Sequence, residues 1–220
     1  MRLLRFALAA SLVSGCQRGP ELRLLAFANG QPWSEIRLDD GVPAGRWRTW
    51  HENGQLKSDG EFARGRRHGA WTTWWENGQV QSEGRYVDGR PDGEWSYWFA
   101  SGTPASQGTF ALGVLEGEWT DHYGDGVVRS RITMHGGLQD NVARFYWPNG
   151  ELEHEWTYVK GVLHGPYRDF REDGSEWILG EYVDGQQSGL WMLFGPDGAV
   201  NAEYSGIYEN GVRVEPWKSR

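Results

Sequence analysis

Short runs of alternating apolar and polar residues fill most of this chain, and the pattern restarts every 24 residues. From Val80 to Tyr86, residues Val80, Ser82, Gly84 and Tyr86 fall on one side and Gln81, Glu83 and Arg85 on the other. That two-residue period predicts a half-buried strand. Before it lies Trp71-Thr72-Thr73-Trp74-Trp75, then Glu76-Asn77-Gly78. Asn-Gly between two such runs signals a tight hairpin, because both residues tolerate positive φ. A second turn, Val87-Asp88-Gly89, leads into the next hairpin. No segment of the repeated region carries sustained helical spacing.

Copies start at Glu21, Gly45, Gly69, Gly93, Gly117, Asn141, Gly165 and Gly189. Offset 10 is glycine in all eight, from Gly30 to Gly198. Offset 21 is glycine from Gly41 to Gly185, and its counterpart in the last copy, Gly211, arrives two residues late. Self-similarity of this kind marks a quasi-one-dimensional array with atypical end copies. The fold expected is all-β: an elongated, twisted antiparallel sheet of repeated β-hairpins, about 16 strands spaced roughly 4.8 Å apart and roughly 70 Å long.

Which side chains meet depends on the turn. A two-residue turn at offsets 9 and 10 pairs offset 3 with 16 and 7 with 12, whereas a three-residue turn pairs 6 with 12. Offset 3 is mostly tryptophan (Trp47, Trp71, Trp95, Trp119, Trp191) and offset 16 mostly glycine (Gly60, Gly84, Gly108, Gly180). In the copy beginning at Asn141 these become Ala143 and Trp156, and the preceding offset 16 is Ile132. Such an exchange of large for small is volume compensation across a packed layer. It predicts the 3:16 pairing, with a bulge or longer turn where Pro148 and Pro196 occupy offset 8. One face then carries offsets 3, 7, 12, 14, 16 and 18, with glycine as the floor beneath tryptophan.

A second aromatic row falls on the other, more polar face at offset 6: Trp50, Trp74, Trp98, His122, Tyr146, Phe170 and Phe194. As a structural ladder it would be shielded by neighbouring stems and cation–π contacts. As a binding surface it would form a groove for an extended peptide or glycan, since a row of rings stacks on ligands of varied sequence.

The 220-residue chain carries a net charge of −8. Its first 15 residues have a basic start at Arg2 and Arg5, a short apolar run from Phe6 to Val13 and small residues before Cys16. These features predict a signal peptide over residues 1–15, too short to span a bilayer. Residues 16–20 then form a tether and 21–220 the array. Without Arg2 and Arg5, 20 basic and 30 acidic residues leave −10. That charge disfavours nucleic acid and anionic headgroups. The six histidines fall at scattered offsets with no ligand-pair spacing, and Asp121–Gly126 lacks the acidic pattern of a calcium loop. Most of the glycines recur with the period and so mark turns and not a phosphate cradle. The expectation is a non-enzyme with no cofactor and no metal.

Val13-Ser14-Gly15-Cys16 resembles the lipobox of bacterial lipoproteins. The resemblance implies lipidation of Cys16 and export, to the outer membrane in a Gram-negative cell because Gln17 follows. The pattern from Gly69 to Gly89, G-x-W-x-x-W-x-E-N-G-x-x-x-x-x-G-x-Y-x-x-G, resembles the bacterial variant of the MORN repeat, often borne by YwqK-family antitoxins. It is strongest over 45–116 and 165–198. It implies hairpin repeats that hold partners, with the membrane reached only through the lipid. A membrane-anchored scaffold for a protein partner is the leading expectation. An antitoxin or immunity-like protein and a glycan-binding envelope lipoprotein are the alternatives. Cys16→Ser should move the chain from the membrane fraction to the soluble fraction of a lysate, because no other apolar span is present. Continued detergent-dependent extraction of the variant would refute lipidation.

Overall fold

The computed structural model describes residues 19–218; the leader and Cys16 lie outside them. The fold is all-β, an open antiparallel sheet of hairpins. Two compact units are present. One runs through Pro104 and includes Phe110–Gly113, and the other holds Ala105–Thr109 and continues from Val114.

The first unit contains β1 (Glu21–Ala26), β2 (Pro32–Asp39), β3 (Val42–Trp50), β4 (Leu56–Ala63), β5 (Arg66–Trp74), β6 (Val80–Val87), β7 (Arg90–Pro91) and β8 (Gly93–Trp98). Strand β9 (Pro104–Ala111) contributes residues to both units. The second contains β10 (Val114–His122), β11 (Val128–His135), β12 (Leu138–Tyr146), β13 (Leu152–Val159), β14 (Val162–Phe170), β15 (Glu176–Val183), β16 (Gln186–Leu193), β17 (Gly206–Glu209) and β18 (Val212–Pro216). The count exceeds the expected 16 for two reasons. Asp92, whose amide bonds to the Arg85 carbonyl, separates β7 from β8. Strand β18 adds a strand beyond the eighth copy.

The turn chemistry differs from the sequence expectation. At offsets 8 to 10 the loop has three residues, as in Glu52-Asn53-Gly54, closed by His51 N–H to Gln55 O (2.8 Å) and Gly54 N–H to His51 O (3.0 Å). The same pair of bonds recurs in all eight copies. Positive φ is confined to the glycine, 84° at Gly54, which makes a type I turn followed by a left-handed residue. Asn53 is free to use its side chain instead. Proline suits the first turn position, so Pro148 and Pro196 need no special turn. The true two-residue turns lie at offsets 20 and 21. There both residues have positive φ: Arg64 (52°) with Gly65 (76°), Asp88 (47°) with Gly89 (84°).

Offset 3 does pair with 16: Trp47 with Gly60, Trp71 with Gly84, Tyr167 with Gly180. A one-residue register step between offsets 5 and 6 then brings 6 opposite 12, as in Trp50 with Leu56 and Trp74 with Val80. Both pairings therefore hold in one hairpin. The step appears in ordinary copies as well as in a proline copy, and offset 12 joins the second aromatic row and not the first.

Each offset-16 glycine also faces the tryptophan of the next hairpin. A Cβ on Gly60 would stand 2.1 Å from the Trp71 ring, and one on Gly84 2.2 Å from Trp95. Between the tryptophans stand the offset-18 rings, edge-on. Trp47, Phe62, Trp71, Tyr86 and Trp95 follow one another at 5.0–5.6 Å and 78–80°, the geometry that ring quadrupoles favour. Trp71 is only 2% exposed. In the second unit Ala143, 1% exposed, lies between Ile132 and Trp156, and Trp156 stacks flat on Tyr167 (5.5 Å, 7°).

Ala143→Trp should destabilise by about 1–3 kcal/mol through overpacking, and Trp156→Gly in the same chain should recover part of that loss. Denaturant melts of both single variants and the double variant check this. Strict additivity would mean that the two positions are not coupled.

Candidate functional site

The offset-6 row leaves the sheet on the face opposite the tryptophan–glycine layer. In β3, Trp50 shares its side with Arg46 and Arg48, whereas Trp47 and Thr49 point the other way. That polar face is built of ion pairs: Arg46 with Asp59, and Arg48 with Glu35 (2.9 Å). The Arg48 guanidinium lies 5.7 Å from the Trp50 ring centre.

Trp50, Trp74 and Trp98 in the first unit, and His122, Tyr146, Phe170 and Phe194 in the second, are all half-buried. Most face a side chain across the hairpin: Trp50 Leu56, Trp74 Val80, His122 Val128, Tyr146 Leu152, Phe170 Glu176 and Phe194 Val200. At these six positions the row meets a cross-strand neighbour at the hairpin end. Its backbone is engaged too. His51 Nε2 lies 2.9 Å from Trp74 O, Trp75 Nε1 donates to Trp98 O (2.9 Å), Tyr123 to Tyr146 O (2.7 Å) and Trp147 to Phe170 O (3.3 Å). Arg171 donates to Phe194 O. These offset-7 donors were missed in the sequence reading. A partial signal was available: five of the eight offset-7 residues, His51, Trp75, Tyr123, Trp147 and Arg171, carry a side-chain donor, whereas Phe27, Phe99 and Gly195 do not.

Asparagine at offset 9 forms a parallel ladder. Asn53 Nδ2 donates to Glu76 O (2.7 Å), Asn77 to Ala100 O (2.6 Å) and Asn149 to Glu172 O (2.7 Å), while each Oδ1 accepts the amide two residues on. The Asn-Gly motif thus joins successive hairpins besides turning the chain.

Two aspartates at offset 5 gather polar groups beneath the rings of the second unit. Asp169, 4% exposed, accepts from Trp156 Nε1 (2.9 Å) and Tyr167 OH (2.9 Å), with His154 Nδ1 at 2.7 Å. Burial, then the Asp169 charge, pushes the Tyr167 hydroxyl well above its ordinary range. Asp121 accepts from Ser106 (2.6 Å), Trp119 (3.1 Å) and Ser130 (3.1 Å), and Arg129 lies 3.5 Å away. Burial opposes ionisation of Asp121, but these bonds and the Arg129 charge outweigh it and hold the carboxyl below its ordinary value. Spacing could not reveal either cluster, because its members come from different copies.

One exposed apolar group on the polar face of the second unit lies over β15 and β16. Trp177 and Leu179 alternate on β15, and Leu190 and Met192 on β16, with Leu179 opposite Met192 and Leu190 opposite Ile207. Trp177 is 43% exposed and Leu190 42%. Phe170 and Phe194 of the offset-6 row flank this group on the neighbouring strand and strand end.

Four segments, residues 44–63, 67–88, 91–111 and 139–160, match the MORN repeat variant. Four hairpins thus resemble MORN repeats. The first three cover 45–111, within one of the two stretches where the sequence resemblance was strongest; no matched segment falls in the other, 165–198, and the fourth lies on the copy with the Ala143–Trp156 exchange. Each MORN-like segment spans the hairpin closed by the three-residue turn. No curated protein matches the chain at a significant level.

The depressed Asp121 carboxyl sets a pH dependence. Its contribution to stability is full above the unfolded aspartate pKa, near about 4, and is lost as pH falls through the lower folded value. Asp121→Asn should therefore be less stable than the parent at pH 7, and the gap should narrow below about pH 4. Thermal melts from pH 7 to pH 2.5 read this directly; a constant gap would contradict the assignment.

Proposed function

We propose that the chain is a non-catalytic, lipid-anchored scaffold of the bacterial envelope that holds a protein partner on the polar face of its sheet. The observation that carries this reading is where the functional groups are spent. Carboxylates, imidazoles and indole N–H groups are used between and within hairpins: Asp169 with three donors, Asp121 with three, Asn53 and Trp75 on the carbonyls of the next copy. Two open concavities are lined by charged residues, one by Arg64, Arg66 and Asp88 and one that includes Arg46, Asp59 and Glu61. The surface left for recognition is the face around the offset-6 row and the exposed apolar group on β15 and β16. An apolar patch rimmed by charge suits a protein surface. The resemblance to MORN repeats supports a scaffold. The lipobox resemblance at Cys16 supports the anchor.

Capture from detergent-solubilised envelope tests the partner surface. Leu190→Asp should abolish capture and lower the melting midpoint far less than a core substitution, because 42% of the residue is already exposed. Trp71→Ala is the stability control and should cost about 3–5 kcal/mol as a core aromatic. Trp74→Ala divides the two readings of the offset-6 row. Weaker capture with a small change in stability makes the row part of the binding surface, and a loss equal to that of Trp71→Ala makes it purely structural. Undiminished capture by Leu190→Asp would overturn the proposed surface.

A further inference from the structure

The first copy departs from the second and third on the polar face. At offsets 2, 4 and 13 the second copy has Arg46, Arg48 and Lys57, and the third has Ala70, Thr72 and Gln81. The first has Leu22, Leu24 and Trp33, which are 59%, 61% and 37% exposed. Terminal repeats ordinarily present a polar outer face. Here the end copy presents an apolar one, and it does so on the strand that ends the sheet of its unit. Among the described residues β1 pairs along one side, with β2, in the register Leu22–Arg37 and Leu24–Glu35. A strand end of this kind offers a row of backbone donors and acceptors to a further strand.

Strand β1 also specifies what that strand is. Glu21 and Arg23 lie on one face, joined by an ion pair of 2.9 Å, and Leu22 and Leu24 lie on the other. In an antiparallel pair centred on Leu22, residue 22 faces its own equivalent and residue 21 faces residue 23. Glu21 of each copy then meets Arg23 of the other, making a ring of four alternating charges, while the leucines of both copies form one apolar strip extended by Trp33 on each side. Opposite charges directly across a pair of strands are favourable and like charges unfavourable. Moving the centre by one residue, to Arg23, would set two guanidinium groups against each other.

We infer that the chain forms a two-fold symmetric dimer by antiparallel pairing of β1 with β1 of a second copy, centred on Leu22. The interface is isologous and closes on itself, so assembly stops at two. It leaves the surface around β15 and β16 unused, and it does not depend on the scaffold reading.

The test uses the full chain carrying Cys16→Ser, which removes acylation and the only thiol, in sedimentation and light scattering over a wide range of concentration. The parent should show a monomer–dimer equilibrium with no larger species. Glu21→Arg should weaken dimerisation at least about tenfold, because four positive charges then converge. Glu21→Arg with Arg23→Glu should restore it, since the exchanged charges again alternate. Leu22→Lys should give monomer. Leu22 is exposed and the circular dichroism spectrum of each variant should match the parent, which separates lost pairing from lost fold. A parent that is monomeric at every concentration, open-ended oligomers, failure of the charge exchange to restore pairing, or dissociation by Val214→Lys in β18 would each overturn the proposal.

Discussion

The close approach of tryptophan to glycine is the constraint on which the rest of this fold depends. A Cβ at Gly60, Gly84 or Gly180 would lie 2.1–2.3 Å from the ring of the next hairpin's tryptophan. Only a residue without a side chain lets the indole lie flat against the strand. Once it does, the ring covers the bare backbone of one hairpin while belonging to another. Neither hairpin can bury that surface alone, which is why the array is cooperative between neighbours. The edge-on rings at Phe62 and Tyr86 then fill the space between successive indoles, and Tyr182 does the same between Tyr167 and Trp191. The exception follows the same rule: where Ala143 replaces tryptophan, Trp156 and Ile132 supply the missing volume from either side.

The polar groups of the turns obey a related logic. A single-layer sheet leaves its loops with carbonyls that no strand partner reaches, and unsatisfied carbonyls are costly where they are partly buried. This chain satisfies them from the preceding copy. The offset-7 donors reach the offset-6 carbonyls, the asparagine amides reach the offset-8 carbonyls, and the glycines of the two-residue turns donate back, as Gly65 does to Pro43 O (2.9 Å) and Gly89 to Arg67 O (2.8 Å). Residues that look like turn formers or spare aromatics are therefore fasteners between repeats. Function is left to the side chains that these fasteners do not engage.

Those side chains are unevenly distributed. Over the middle of the first unit the polar face is an ion-paired surface, with Arg46, Asp59, Arg48 and Glu35 engaged in pairs. Apolar groups come to the surface at the first copy and over β15 and β16, and beside the two-residue turns at Val42, Val114, Leu138 and Val162. An array that varies its exposed offsets while holding its buried ones constant can present different surfaces without changing its fold. This is the physical basis for reading the chain as a scaffold.

The 24-residue period, the all-β hairpin fold and the 3:16 contact were legible from residue types alone. Volume and two-residue alternation act locally, and eight in-phase copies repeat the same local instruction. The swap around Ala143 was readable for the same reason, since complementary volumes leave a mark at both positions. Tertiary structure alone decided the rest. Asn53 and Gly54 were open to a two-residue turn, but bonding of the asparagine amide to Glu76 O in the next copy accompanies a three-residue loop with left-handed geometry only at the glycine. The one-residue step that sets Trp50 opposite Leu56 follows from that loop, and in the sequence only Pro148 and Pro196 at offset 8 pointed to it. The clusters at Asp121 and Asp169 each draw members from two copies, and the bonds of Ser106 and Ser130 to Asp121 and of His154 and Trp156 to Asp169 exist only once neighbouring strands have been placed side by side.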